Sequence, residues 1–365
     1  MRSVGVEEEL LLVGAESGEP LSVAALVLDG AARDAACGTD HIFEKELKRE
    51  QVEFATRPVT AMEELSQEIT RWRSVAARHA RAAGAAVAAL ATSPVRVIPS
   101  NSPGERYAWM AERYGMTAQE QLTCGCHVHV SVASDEEGVA VLDRIRPWLP
   151  VITAISGNSP FWQGEDTGYG SYRSRVWNRW PSAGPTEIFG SADRYHGQVA
   201  AMVDTGVLRD NGMIYFDARL GVNYPTVETR VADVCLHPET TVLVATLVRG
   251  LVETAARAWE AGEPPARIGV SLLRLASWRA ARSGLDGPLI HPATMRETSA
   301  RAAVDALFGH VRDALEDHGD AAAALRGIDE LFERGSGAQV QRRLYRASGD
   351  LKAVVRACAR ITATP

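Results

Sequence analysis

The sequence predicts an α+β fold: one domain over residues 1–365, sheet-rich over 1–240 and helical over 240–365. Three observations carry that prediction. Short runs of alternating or extended type recur at 4–13, 51–55, 122–132, 213–220 and 226–231. From Thr240 onward, alanine-rich amphipathic segments are broken near Gly262, Gly284, Gly319 and Gly335. No internal repeat or linker divides the chain, and strands followed by helices is the α+β pattern.

The elements follow in order. The run 4–13 alternates as a strand and 14–20 is a turn; 51–55 is extended and stops at Arg57-Pro58. A long alanine- and arginine-rich helix is expected over 61–91, ended by Ser93-Pro94. The aromatic-rich stretch 101–115 reads as a helix with one packed face, 122–132 as a strand and 143–156 as a helix. The long stretch 157–194, dense in Gly, Ser, Trp, Tyr and Arg, is expected to be irregular, and loops of that length are often functional. Within it, 169–181 is expected to be a mobile lid, glycine-rich yet full of aromatic and arginine side chains.

Composition narrows the function. Hydrophobic residues make up 46% and charged residues 23%, the balance of a folded globular chain. The net charge of −7 withholds the electrostatic footprint of a general nucleic-acid binder. Lysine occurs only at Lys45, Lys48 and Lys352, and no Gly-Lys-Ser/Thr turn exists, which removes a P-loop. Five cysteines (Cys37, Cys124, Cys126, Cys235, Cys358) without a repeating spacing argue against a disulfide scaffold. Acids at Glu7, Glu8 and Glu9 interrupt any signal-peptide core, and Arg249, Glu253 and Arg257 stripe the most apolar segment. A cytoplasmic protein without a membrane span is expected.

The chemistry lies in four pairs of polar residues two apart in strand-like sequence: Glu7/Glu9, Gln51/Glu53, His127/His129 and Glu228/Arg230. Residues i and i+2 of a strand point to one face. One such pair describes a solvent-facing sheet. Four pairs in one sheet crowd acids and imidazoles that repel and desolvate one another unless something binds them. A divalent cation answers that need, because Mg²⁺ prefers carboxylate oxygens and also bridges nucleotide phosphates. Glu46 either adds a carboxylate at the same mouth or belongs to an ordinary charged surface stretch over 44–50. Zinc at Cys124-Gly-Cys-His-Val-His129 is disfavoured, since the two cysteines face away from the two histidines on a strand. Arg230 is either the partner of Glu228 or a guanidinium that stabilises a phosphoryl group. Arg173, Arg175 and Arg179, interleaved with aromatics in an acidic protein, suggest a clamp for a carboxylate or nucleotide.

Gly5-Val-Glu-Glu-Glu9, Glu50-Gln-Val-Glu-Phe-Ala-Thr56, Gly125-Cys-His-Val-His-Val130 and Tyr224-Pro-Thr-Val-Glu-Thr-Arg-Val-Ala-Asp233 occur in that order. Together with Ser171-Tyr-Arg-Ser174 and Trp180-Pro181, they resemble the type 2 glutamate–cysteine ligase (carboxylate–amine ligase) family over 1–260. The resemblance implies an antiparallel sheet curved into a funnel and flanked by helices, related to glutamine synthetase and the guanidino kinases. It implies ATP as co-substrate together with Mg²⁺. Position by position, it makes Glu7, Glu9, Glu46, Glu53, His127 and Glu228 the Mg²⁺ ligands and Arg230 the catalytic group. Gln51, His129, Tyr172 and Arg173 become the substrate-binding candidates. The implied reaction activates a glutamate-like carboxylate as an acyl phosphate and couples it to an amine such as cysteine. Its partners are then small molecules (ATP, an amino acid, an amine), without nucleic acid or membrane, and a homo-oligomer is compatible with it. Two other readings use the same residues. One is a guanidino-kinase-like phosphotransferase, the other a catalytically silent nucleotide- or metal-binding protein.

Overall fold

The computed structural model describes residues 1–34 and 42–364; Cys37 lies outside them. Its centre is β1 (Val4–Gly14), which pairs with β3 (Gln51–Ala55) on one side and β5 (Gly125–Ser131) on the other. β2 (Phe43–Lys45) extends the sheet beyond β3, and β4 (Ala85–Ala88) joins the far end of β1. After a small hairpin, β6 (Phe161–Trp162) and β7 (Glu165–Asp166), the sheet is completed by β8 (Ala218–Leu220) and β9 (Thr226–Asp233). The order is β2-β3-β1-β5-β9-β8 with β4 on β1, all antiparallel, so the fold is α+β.

Period-2 alternation divides β1 between two environments. Val6, Leu10 and Leu12 are buried in the cores shared with the helices Met62–Ala82 and Pro238–Glu260. Helix Met62–Ala82 contributes Leu65, Ile69, Trp72 and Ala76, spaced four, three and four residues apart, which is one face of a 3.6-residue repeat. Glu8 lies on the same side of β1 as Val6, Leu10 and Leu12 and is 0% exposed. Its carboxylate accepts from Arg73 Nε and Nη2, both at 2.7 Å, and from Thr241 Oγ1 at 2.6 Å. Arg73 also donates to the carbonyls of Cys235 and Leu236, at 2.6 and 3.0 Å. One buried ion pair therefore joins β1, two helices and the chain leaving β9.

The structure departs from the sequence reading where alanine speaks for both helix and strand. The helix expected over 61–91 ends at Ala82, and residues 85–88 are strand β4. Gly84 at φ +74° turns the chain, and Ala85, Val87 and Ala88 then find a ready edge on β1. The stretch 157–194 is less irregular than expected, holding the hairpin β6–β7, a short helix Arg173–Trp177 and the start of helix Ala192–Asp204. The extended run over 213–220 begins as a 3₁₀ turn, Asn211–Met213, and only its end is strand. Helix Ala24–Arg33 is an addition, and the helix expected over 143–156 is divided into Asp135–Ile145 and Leu149–Ser156.

From Pro238 the chain is mainly helical, with helix ends at Glu260, Ser283, His318 and Arg334, each beside a predicted glycine break. Among the described residues no helix is long and apolar enough to cross a membrane. Helix Gly337–Ser348 reaches back to the sheet-rich half, where Gln341 Nε2 donates to Asn158 Oδ1 at 2.7 Å.

His237, at the start of helix Pro238–Glu260, gives a pH prediction. Burial, and then the nearby Arg334 cation, push its imidazole down to about 4 from 6.5. The folded pKa is depressed, so stability is present above 6.5 and lost as pH falls toward 4. The melting temperature of His237→Gln should therefore fall less steeply than that of the parent over this window. Parallel curves would remove His237 from the acid response.

Candidate active site

Register determines which side chains meet. On the face of β1 opposite Glu8, Glu7 stands across from His127 and Glu9 across from Glu53; on β5, His129 stands across from Glu228. Arg219 of β8 faces Glu228 in turn. Between Cys126 and Val128 of β5 the pairing slips, so that His127 opposes both Arg230 and Val231 of β9. This is a β-bulge, which bends the strand and re-aims the Arg230 side chain. Glu46 arrives from the turn between β2 and β3.

Most of these groups line a cavity of about 490 Å³. Glu7, Glu9, Glu53, His127 and Arg230 line its sheet side, with Glu46 and Gln51 beside them. Tyr107, Trp177, Trp180 and Tyr215 form an aromatic wall. Two sets of donor atoms occur, Glu9–Glu46–Glu53 and Glu7–His129–Glu228, and within each set the atoms lie within 4.8 Å of one another. His129 Nε2 is 3.2 Å from Glu7 Oε1, and His127 Nδ1 is 3.2 Å from Glu7 Oε2. Arg219 grips Glu228 through Nε at 2.6 Å and Nη2 at 3.3 Å, and Arg230 Nη1 also contacts Glu228 Oε1.

The electrostatics split the site in two. Burial raises Glu228, but Arg230 and Arg219 outweigh it and hold the carboxyl at about 2. Burial also works to raise Glu7, and hydrogen bonds with His127 and His129 override it, leaving Glu7 well below the usual range. On the other side, burial and Glu46 push Glu9 up to about 8 and lift Glu53 well above its ordinary value. Burial raises Glu46 as well, so all three crowded acids hold their protons more tightly than free carboxyls. An all-oxygen set of acids that retain protons when empty fits a hard divalent cation able to replace those protons. The second set, with one imidazole, also offers two carboxylates.

Several expected residues fall outside the cavity wall. Glu228 and His129 stand behind it in contact with Glu7 or Arg230. His127 touches Glu7 but belongs to neither donor set. Tyr172 packs against Trp162 and Tyr169, with ring centroids 5.9 and 5.6 Å apart, away from the lining. Arg173 is 1% exposed and also off the lining. Arg179 pairs with Glu120 at 2.6 Å. The start of the stretch 169–181 is tied to its surroundings. The amides of Gly170 and Ser171 donate to Ala281, that of Tyr172 to Ser159, and Ser171 Oγ to Asp233 at 2.8 Å. Arg219 was missed, although alternation in the run before Gly221 could have pointed it to the face of Glu228.

The family model described as Glutamate-cysteine ligase family 2 (GCS2) matches residues 3–357. The chain belongs to glutamate–cysteine ligase family 2. A Streptomyces avermitilis relative named "Putative glutamate--cysteine ligase 2-1" is 62% identical to this family 2 chain over 362 residues, 99% of each. A Streptomyces coelicolor relative, "Putative glutamate--cysteine ligase 2", is 58% identical over 99% of each chain. The crystal structure of glutamate–cysteine ligase from Francisella tularensis in complex with AMP matches with TM-score 0.71 at 12% identity. That match covers 100% of the family 2 chain and 89% of the other, and at this identity it speaks for the fold. By its family the protein is an ATP-dependent, amide-bond-forming ligase.

The donor sets yield a binding prediction. Titrated Mg²⁺ should raise the melting temperature, with stabilisation of about 2.7 kcal/mol at roughly a hundredfold excess over Kd. Glu53→Gln removes one oxygen donor and should shift the titration to about tenfold or more higher Mg²⁺, a cautious bound since supporting residues alone cost that much. Superimposable titrations would place the ion elsewhere.

Proposed function

We propose that the protein joins a glutamate-like carboxylate to an amine such as cysteine through an acyl phosphate, with ATP as phosphoryl donor. The carrying observation is that the Glu9–Glu46–Glu53 donor set, Glu7 of the second set and Arg230 line one cavity, with Glu228 and His129 directly behind them. An acid-lined cavity repels a triphosphate unless cations intervene. Glu9, Glu46 and Glu53 would hold one Mg²⁺, and Glu7 and Glu228 with His129 or His127 another. The chemistry Mg²⁺ supplies there is neutralisation of phosphate charge and alignment of the γ-phosphorus.

The protein's own groups do the rest. A substrate carboxylate oxygen attacks the γ-phosphorus, the bond to the bridging oxygen breaks and ADP leaves. Arg230, fixed against Glu228, faces the charge that spreads over the phosphoryl oxygens in transit. The amine nitrogen then attacks the acyl carbon; phosphate departs with the C–O electron pair and the nitrogen loses a proton. Trp177, Trp180 and Tyr215 keep water from the acyl phosphate meanwhile. In this reading the sheet is the floor of a funnel like that of glutamine synthetase and the guanidino kinases.

The test is ADP release with Mg²⁺ across amino acids and amines, with mass detection of products. A product of mass acid plus amine minus water is expected. A stable phosphorylated product would favour a guanidino-kinase-like phosphotransferase, and nucleotide binding without turnover a silent protein.

A further inference from the structure

We propose that Arg173 is a positioning residue that fixes β9 at Arg230 from behind the cavity wall, without touching substrate. Three observations converge on it. Its guanidinium donates through both Nη atoms to the backbone carbonyl of Arg230, each at 3.4 Å. That carbonyl lies in the bulge, where β5 has one residue for two of β9 and the ladder cannot serve both. Arg173 thus holds a carbonyl of the bulged segment, while the Arg230 amide donates to Asp217 O at 2.9 Å.

Second, the space is shaped for that guanidinium. A Cβ at Gly125 would lie 2.2 Å from Arg173 Nη2, 2.9 Å from its Cζ and 3.1 Å from His127 Nε2, so glycine leaves room there for the guanidinium and the imidazole together. The Trp177 ring sits against both cations, 5.5 Å from Arg173 Cζ and 5.7 Å from Arg230 Cζ. Third, the backbone of Arg173 is pinned to the same strand. Its amide donates to Ser159 Oγ at 2.9 Å, and Ser159 Oγ donates to Asp233 Oδ2 at 2.7 Å. Ser171 Oγ reaches Asp233 Oδ1 at 2.8 Å. Asp233 is three residues beyond Arg230, so both ends of the bulged segment are braced. Among the described residues no carboxylate lies within 4.0 Å of the Arg173 guanidinium. A buried cation is costly without a partner carboxylate, and what it holds here is the backbone of Arg230.

The inference rests on the reading of Arg230 as the group facing the phosphoryl in transit. Arg173→Lys keeps the charge and loses the fork; Gly125→Ala keeps Arg173 and displaces its guanidinium. Each should lower kcat by about tenfold or more, with KM for ATP and for the acid changed by less than about twofold. In an Arg230→Lys background, either change should add less than about a threefold further loss, because its effect passes through Arg230. Should Arg173→Lys fail to fold, Gly125→Ala carries the same comparison, with its Mg²⁺ titration read alongside because the new Cβ also meets His127 Nε2; a shifted titration together with losses that multiply overturns the inference. Losses that multiply in the double variants, while Arg230→Lys alone is impaired, overturn the inference and leave the reading of Arg230 standing. A dominant rise in KM also overturns it, by making Arg173 a substrate ligand. Full kcat in Arg230→Lys overturns both.

Discussion

Arg230→Ala should lower kcat about a hundredfold or more while KM for ATP changes little; two decades correspond to about 2.7 kcal/mol of transition-state stabilisation. The expectation follows from where the group is held. Arg230 lines the cavity, is anchored by Glu228, and stands against Trp177 and Tyr215, so its guanidinium is fixed before any substrate arrives. Its Nε is buried without a partner, leaving donor capacity unspent. A preorganised donor acts most on charge that develops late, which is why the loss belongs in kcat. Arg230→Lys retains the charge but loses the planar fork, and should still lose at least about tenfold in kcat. Steady-state kinetics with ATP varied at saturating Mg²⁺ reads the split. If the loss appears mainly as weaker ATP binding, Arg230 is a ground-state anchor; if nothing moves, it is only the partner of Glu228.

Strand alternation is a local property, and that is why much of the cavity could be read from the sequence. Glu7/Glu9, Gln51/Glu53, His127/His129 and Glu228/Arg230 each lie on one side of a strand in the structure because i and i+2 must. Register is not local. The sequence does not reveal that Glu9 would oppose Glu53 while Glu7 opposes His127. Nor does it reveal the bulge that sets Arg230, since that depends on two strands about a hundred residues apart. Glu46 sat in a stretch that read equally well as charged surface, and only the turn between β2 and β3 carries it to Glu9 and Glu53. Strand β4 was hidden for a different reason. Alanine favours helix in isolation, and the open edge of β1 decided otherwise.

The middle acid of the first motif has a separate function, and it leads to the largest expected change in stability. Arg73→Leu should destabilise the fold by about 3–5 kcal/mol, because removing one partner leaves a buried charge uncompensated. Glu8 would keep only Thr241 Oγ1 as a donor, and the carbonyls of Cys235 and Leu236 would lose theirs. Denaturant unfolding should show a lower midpoint with an unchanged slope, since the surface exposed is the same. Adding Glu8→Leu should recover part of the loss by removing the stranded carboxylate, but not all of it, because the two carbonyls stay without a donor. The link to chemistry is geometric. Glu8 points down between Glu7 and Glu9, so the pair with Arg73 holds the pleat that turns those two carboxylates into the cavity. Arg73→Leu should therefore also weaken the Mg²⁺-dependent rise in melting temperature, although Arg73 lies on the opposite face of the sheet. A destabilised variant with an unaltered Mg²⁺ response would show that the acids hold their places without it.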